Sequence, residues 1–89
     1  MRLKSGFVLE EVGGTYLAVA VGERAEELKV LIRLNSTGAF LWKILAERDV
    51  NEEQLVEAVL GEYDVSRDIA KSSVRSFVKS VTDGGLIDG

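Results

Sequence analysis

The chain has 89 residues, of which 46% are hydrophobic and 29% are charged, and its formal net charge is −4. This composition is typical of a folded protein, and we expect residues 1–89 to form a single domain. The lack of cysteine excludes disulfides and thiolate metal sites, the lack of histidine removes the commonest general base, and the acidic balance disfavours nucleic-acid binding.

No part of the sequence has the pattern of a membrane or export segment. No uncharged apolar run approaches the ~20 residues that a membrane-spanning helix needs. The segment Met1–Gly6 has two basic residues but is not followed by the long apolar stretch of a secretory signal. We therefore expect a cytoplasmic protein without a membrane partner.

Three strand patterns occupy the first third of the chain. They are short runs of β-branched and aliphatic residues, placed at about 6–12, 15–21 and 29–34. Gly13 and Gly14 separate the first two runs. Because glycine adopts positive φ without steric cost, this pair predicts a tight hairpin.

Alternation along the strands predicts which faces are buried. In the second strand Leu17, Val19 and Val21 alternate with Tyr16, Ala18 and Ala20, and we expect the larger aliphatic set, Leu17, Val19 and Val21, to face the core. The third strand carries apolar residues on both faces. We expect another element or a ligand to cover its second face.

Three helix patterns follow, at about 37–48, 52–61 and 66–82. Asn35 is placed to cap the first helix, and Asn51 with Gln54 forms a capping box for the second. Trp42 lies off the main apolar stripe of the first helix, and we expect it to pack between elements. The sequence thus predicts a winged-helix-like α+β fold, with an N-terminal three-stranded antiparallel sheet followed by a three-helix bundle.

The third helix carries a row of four cations at successive spacings of four: Arg67, Lys71, Arg75 and Lys79. On a helix this spacing places them along one line parallel to the axis. The row is typical of a binding surface or of a solvated face whose long side chains lie over apolar surface.

Two classes of partner fit such a row. A winged-helix DNA-binding regulator would use the third helix for recognition, but the hairpin precedes the helices, its tip is not basic, and the first two helices are acidic. An acidic, partly apolar peptide fits better, because it can add as a strand to the free edge of the third strand. Its side chains would meet an apolar base formed by Leu31, Val74 and Val78. Around that base would lie a cationic rim formed by Lys71, Arg75 and Lys79. A free strand edge also permits a homodimer.

The junction at residues 34–45, L-N-S-T-G-A-F-L-W-K-I-L, resembles the L-N-x-T-G-x-x-x-W-x-x-L stretch of the PqqD-like family. The N-terminal G-F-x-L, the Gly-Gly hairpin, residues 62–65 and residues 85–87 follow in the family's order, so the resemblance covers nearly the whole chain. It implies a RiPP recognition element, and because the sequence begins at Met1 and ends soon after its last element, we expect the discrete, stand-alone form. Such a peptide chaperone binds the leader region of a ribosomally synthesised precursor peptide and presents it to a modifying enzyme, usually a radical S-adenosylmethionine (SAM) maturase.

The resemblance also implies where the leader lies, as an added strand against the third strand and beside the third helix. By position it implies peptide contacts at Val30, Leu31, Ile32, Arg33, Lys71, Val74, Arg75 and Val78, and the cationic row adds Lys79. The sequence has no P-loop, dinucleotide fingerprint or nucleophile elbow. Its neighbouring carboxylates on strands point to opposite faces. We therefore expect no catalytic residue, no metal and no cofactor.

Overall fold

The protein is described by a computed structural model over residues 1–23, 25 and 31–88. Its elements in chain order are β1 (Arg2–Leu3), β2 (Phe7–Val12), β3 (Thr15–Ala20), β4 (Leu31–Leu34), α1 (Ser36–Glu47), α2 (Glu52–Glu62), α3 (Arg67–Asp83) and β5 (Ile87–Asp88). The predicted α+β, winged-helix-like plan of a three-stranded antiparallel sheet followed by three helices is confirmed. The predicted start of the third strand at residues 29–30 lies outside the described residues. Within the described part of the chain, no helix combines the length and apolar character needed to cross a bilayer.

The main sheet has the strand order β2-β3-β4, and both pairings are antiparallel. Val12 pairs with Thr15, so Gly13 and Gly14 form a two-residue loop. Their φ values of +57° and +83° lie in the left-handed region that favours glycine. The predicted hairpin is therefore present, and its turn explains why both positions carry no side chain.

In β3 the face that carries Ala18 and Tyr16 packs on the core, and the face with the larger aliphatic residues does not. Ala18 is 1% exposed and belongs to the core cluster, whereas Leu17 and Val19 lie on the opposite face. The prediction that the larger set is buried was wrong. Ala18 pairs with Leu9 on one side and Ile32 on the other, and these two neighbours supply the bulk, while α1 packs directly on β3. A large side chain at position 18 would hold the helix away from the sheet.

Polar side chains begin each helix as the sequence indicates. Asn35 Oδ1 accepts a hydrogen bond from the backbone N–H of Gly38 at 2.7 Å. Asn51 and Gln54 form the predicted capping box, with bonds of 2.8 and 2.9 Å. Ser66 caps α3. These bonds satisfy N–H groups that a helix start leaves without intrahelical partners.

The core lies where the three helices meet the inner face of the main sheet. Trp42 is 4% exposed and belongs to this core, which confirms the expected packing role. The largest fully buried side chains come from all three helices and the closing segment: Leu41, Leu45, Leu55, Val59, Val74, Val81 and Leu86. These contacts hold α3 beside β4 and so determine the geometry of the site described next.

The chain ends form a second sheet that the sequence did not predict. β1 pairs with β5 in antiparallel register, with Leu3 opposite Ile87. Leu86 is fully buried, and its carbonyl accepts a 2.8 Å hydrogen bond from the N–H of Lys4. The closing segment thus packs back on the core of the domain, and its strand pairs with β1 rather than with a strand of the main sheet.

Candidate functional site

The free edge of β4 is the first component of the site. β4 pairs with β3 on one side only, and among the described residues no strand pairs with its other edge. The closing strand β5 is occupied by β1. An unpaired edge presents main-chain N–H and C=O groups in a row that an extended segment can match.

A groove lies between this edge and α3, and we call it the edge groove. Its volume is about 280 Å³. The lining residues come from the end of β4, the start of α1 and one side of α3: Arg33, Leu34, Asn35, Thr37, Gly38, Ser72, Ser73, Ser76, Phe77 and Ser80. Hydroxyl groups therefore dominate its wall, and Arg33 is the one charged residue among the described residues that line it.

The α3 side of the groove carries Ser72, Ser73, Ser76 and Ser80, which we call the serine wall. Its position follows from the geometry of α3. The buried stripe of this helix consists of Ala70, Val74, Phe77 and Val81. At about 100° per residue, Ser73, Ser76 and Ser80 fall on the margin of that stripe nearest β4. Phe77 is 4% exposed and lines the groove from the stripe itself. The groove consequently has an apolar floor beneath a hydroxyl-bearing wall.

The start of α1 forms the end of the groove. Gly38 is buried there, and a Cβ atom at this position would lie 3.2 Å from both Leu34 Cβ and Asn35 Oδ1. The absence of a side chain lets the helix begin directly beneath β4. This close approach gives Gly38 a role in packing the helix start against the sheet.

The cations Lys71 and Arg75 lie on the other side of α3, toward α2. They line a separate concavity of about 200 Å³, together with Glu52, Glu53 and Val56 and the buried Val74. The structure therefore does not bring these two cations together with the open edge of β4. The sequence pattern placed them correctly on the margin of the apolar stripe, but a helix has two margins, and this one faces α2.

The ends of the cationic row are held by carboxylates. Arg67 donates to Glu53 at 3.1 Å and to Glu57 at 2.8 Å. These bonds raise the pKa of Arg67, and the guanidinium lowers the pKa of Glu57. Lys79 donates to Asp83 at 2.8 Å one turn along α3, and this hydrogen bond raises the pKa of the lysine. Both cations are thus partly neutralised by neighbours.

The remaining predicted residues have varied positions. Val74 is 1% exposed and Val78 is half-buried against the core, so both stabilise the fold. Ile32 also packs on the core, while Arg33 is exposed at the edge groove. Leu31 is the first residue of β4. Val30 lies outside the described residues.

Sequence reasoning missed the serine wall. The signal was present as Ser72-Ser73-x-x-Ser76-x-x-x-Ser80, which has the same helical spacing as the cations. Because serine is common on exposed helix surfaces, its spacing alone does not indicate a binding site. Among the described residues, no three carboxylates lie close enough together to hold a metal ion.

The comparisons with known proteins fit this architecture. A family model described as Coenzyme PQQ synthesis protein D (PqqD) matches residues 24–87. The chain belongs to the PqqD family. The PqqD match includes β4, all three helices and the start of β5, and therefore the whole edge groove. No curated protein matches the chain.

Two solved structures share the fold of this PqqD-family chain. One is TbiB1 in complex with the TbiA(beta) leader peptide, at 20% identity and a TM-score of 0.71, covering 100% of this chain and 96% of that chain. The other is lasso peptide synthetase B1 complexed with the leader peptide, at 18% identity and a TM-score of 0.66, covering 96% of this chain and 93% of that chain. At these identities the likeness shows a common fold.

Proposed function

We propose that this chain binds the leader region of a ribosomally synthesised precursor peptide, which adds as a strand to the open edge of β4. The observation that carries the proposal is a strand edge that no other described strand pairs with, beside a groove whose wall is α3. An extended peptide would pair with the main chain of β4 and direct alternate side chains into the groove. Membership of the PqqD family supports this function, as do two proteins of the same fold seen in complexes with leader peptides.

The lining indicates which peptide side chains fit. Hydroxyl groups on α3 can donate to or accept from polar side chains, and Phe77 offers an apolar floor. Arg33 places a guanidinium at the groove, which favours a carboxylate on the peptide. The favoured guest is an extended segment that alternates apolar with short polar or acidic residues.

The peptide contacts are proposed to divide between strand and helix. Residues 31–33 offer main-chain groups along the edge, and the serine wall offers side-chain contacts. The sequence-predicted helix contacts were Lys71, Val74, Arg75, Val78 and Lys79. Lys71 and Arg75 form no ion pair with another described residue. A peptide would reach them only where it crosses α3 toward α2, so their contribution is a separate question for experiment.

The role in biosynthesis is proposed to be presentation without catalysis. Residues 1–89 would act as one peptide-binding domain that offers the bound precursor to a modifying enzyme in the cytoplasm. A radical SAM maturase is the enzyme class that the family resemblance favours. In this arrangement the enzyme supplies the cofactor, and this chain supplies the edge and the groove.

Filling the groove tests the proposal. The leader peptide of the precursor encoded beside this gene, labelled with a fluorophore, is titrated with the wild-type protein and with Ser76→Trp. The indole would occupy the groove, so we expect at least a tenfold loss of affinity. Thr82→Trp adds the same bulk to an exposed position outside the groove and should bind as wild type. Equal affinities for all three proteins would contradict the proposed site.

Charge reversal separates the two margins of α3. Arg33→Glu changes the charge at the edge groove, whereas the double variant Lys71→Glu/Arg75→Glu changes it on the α2 side. If the peptide stays in the edge groove, the first variant loses more affinity, and its loss shrinks as salt is raised. A larger loss of affinity in the double variant would indicate that the peptide binds on the α2 side of α3 instead.

The DNA-binding alternative is not supported. Arg67 and Lys79 are engaged by carboxylates, and Glu52 and Glu53 lie beside the two other cations of the row. A surface of alternating charge neutralises few phosphates.

A further inference from the structure

The main sheet has an apolar outer surface that no described element covers. Ala18 and its cross-strand partners Leu9 and Ile32 face the core, so the residues that alternate with them along each strand point away from the core. We call this surface the outer sheet face and define it by Val8, Glu10, Val12, Leu17, Val19 and Arg33. Val8 is 38% exposed and Val12 is 57% exposed. The face is separate from the edge groove except at Arg33, which borders both.

The charges on this face have a particular arrangement. Glu10 pairs with Leu17 across β2 and β3, and Leu17 pairs with Arg33 across β3 and β4. The three residues therefore form one row, with a carboxylate and a guanidinium on either side of a leucine. The backbones at Glu10 and Arg33 each lie one strand spacing, about 4.8 Å, from the backbone of the central strand. Neither Glu10 nor Arg33 forms an ion pair within the described residues.

Such a row is complementary to itself. When two copies meet face to face around a two-fold axis that runs along β3 above Leu17, the leucines of the two copies meet at the axis. The axis reverses the row, so the Glu10 side of one copy faces the Arg33 side of the other. Two equivalent ion pairs then enclose an apolar centre, which is the pattern of an isologous interface.

We propose that the outer sheet face is the interface of a weak, symmetric homodimer of this chain. Leu17 packs on Leu17 of the second copy, and Glu10 pairs with Arg33 of the second copy. The face measures about 300 Å² per copy from strand spacing and rise. This is less than the roughly 800 Å² per partner of a standard stable interface, so we expect weak association that depends on protein concentration. The edge of β4 stays free, and dimerisation does not depend on the proposed peptide function.

Sedimentation velocity at about 0.15 M salt tests the proposal, because net repulsion between two acidic copies is screened there. The weight-average mass of the wild type should rise toward the dimer with concentration. Glu10→Arg and Arg33→Glu, each alone, place like charges opposite one another and should remain monomeric. An equimolar mixture of the two variants pairs opposite charges again and should restore association.

Matched controls exclude a general charge effect. Glu62→Arg and Lys43→Glu make the same charge changes at exposed helix positions away from this face and should associate as wild type. The double variant Glu10→Arg/Arg33→Glu should also associate, since it exchanges the two charges. Circular dichroism checks that every variant is folded.

The decisive contrast is between the single variants and their mixture. A wild type that stays monomeric up to about 1 mM overturns the proposal and leaves the face for a different protein. Single variants that associate as wild type also overturn it and would favour pairing through the β4 edge. A mixture that remains monomeric contradicts the two-fold arrangement.

Discussion

A Cβ atom on Gly84 would lie 2.7 Å from Cδ1 of Ile32. The end of α3 therefore approaches the side chain of β4 so closely that only glycine fits without a shift. The same Cβ would lie 2.9 Å from Cδ1 of Leu86. The absence of a side chain at Gly84 therefore lets the end of α3 come close to β4, and these two elements border the edge groove.

Gly84→Ala should destabilise the protein. The backbone at this position is right-handed, with φ of −76°, so the cost comes from crowding rather than from backbone strain. Because the crowded atoms are ends of flexible side chains, we expect about 1–2 kcal/mol, measured by urea unfolding. Gly61→Ala is the control, because nothing lies within 4 Å of its added Cβ, and it should stabilise α2 by up to about 1 kcal/mol. Equal effects of the two changes would argue against the close approach.

Asn35→Ala should loosen the start of α1. The substitution removes the oxygen that accepts the N–H of Gly38 at 2.7 Å, which costs about 1 kcal/mol at a helix N-cap. Asn35→Asp keeps an acceptor and should retain most of the stability. Thermal melting followed by circular dichroism compares the three proteins. An alanine variant with an unchanged melting temperature would mean that the cap contributes nothing.

The pH dependence of stability should include a contribution from Glu57. Arg67 lowers the pKa of this carboxyl in the folded protein. A lowered folded-state pKa stabilises the fold above the unfolded-state value of about 4.3, and the contribution disappears as the pH falls through the folded-state pKa. Glu57→Gln should thus be less stable than wild type at pH 7 and equally stable near pH 2 in urea titrations. A difference that persists at the acid end would point to lost packing instead.

The single tryptophan should report folding and remain silent to peptide binding. Trp42 is 4% exposed in the core and does not line the edge groove. Its emission should shift to longer wavelength on unfolding and change little when the leader peptide is added. A large change on peptide addition, with the fold intact by circular dichroism, would show that binding rearranges the core.

Local sequence signals predicted the elements well because their causes are local. Asn35 and Asn51 cap helices through bonds to residues three positions later, and Gly13 and Gly14 turn the chain within two residues. The two-residue strands β1 and β5 carried no such signal. They exist because the closing residue Leu86 is buried beside the N-terminal segment, which is a tertiary contact.

Orientation was harder to predict than existence. In β3 both alternating sets are apolar, so the pattern did not reveal that Ala18 faces the core and Leu17 faces outward. On α3 the pattern placed Lys71 at the edge of the buried stripe but could not say which neighbour lies at that edge. Both questions depend on how elements pack, which periodicity alone leaves open. That the third strand has a free edge was predictable because it follows from strand order, whereas peptide contact at Arg33 stays a prediction.

The most direct test of the account is amide hydrogen exchange of the protein with and without the leader peptide. Strand addition satisfies the outward N–H groups of β4, so we predict that protection rises along Leu31–Leu34 and on the serine side of α3, while the outer strand β2 is unchanged. The result that would contradict the account is a peptide that binds with no added protection in β4, or one that protects only α2 and the Lys71 side of α3.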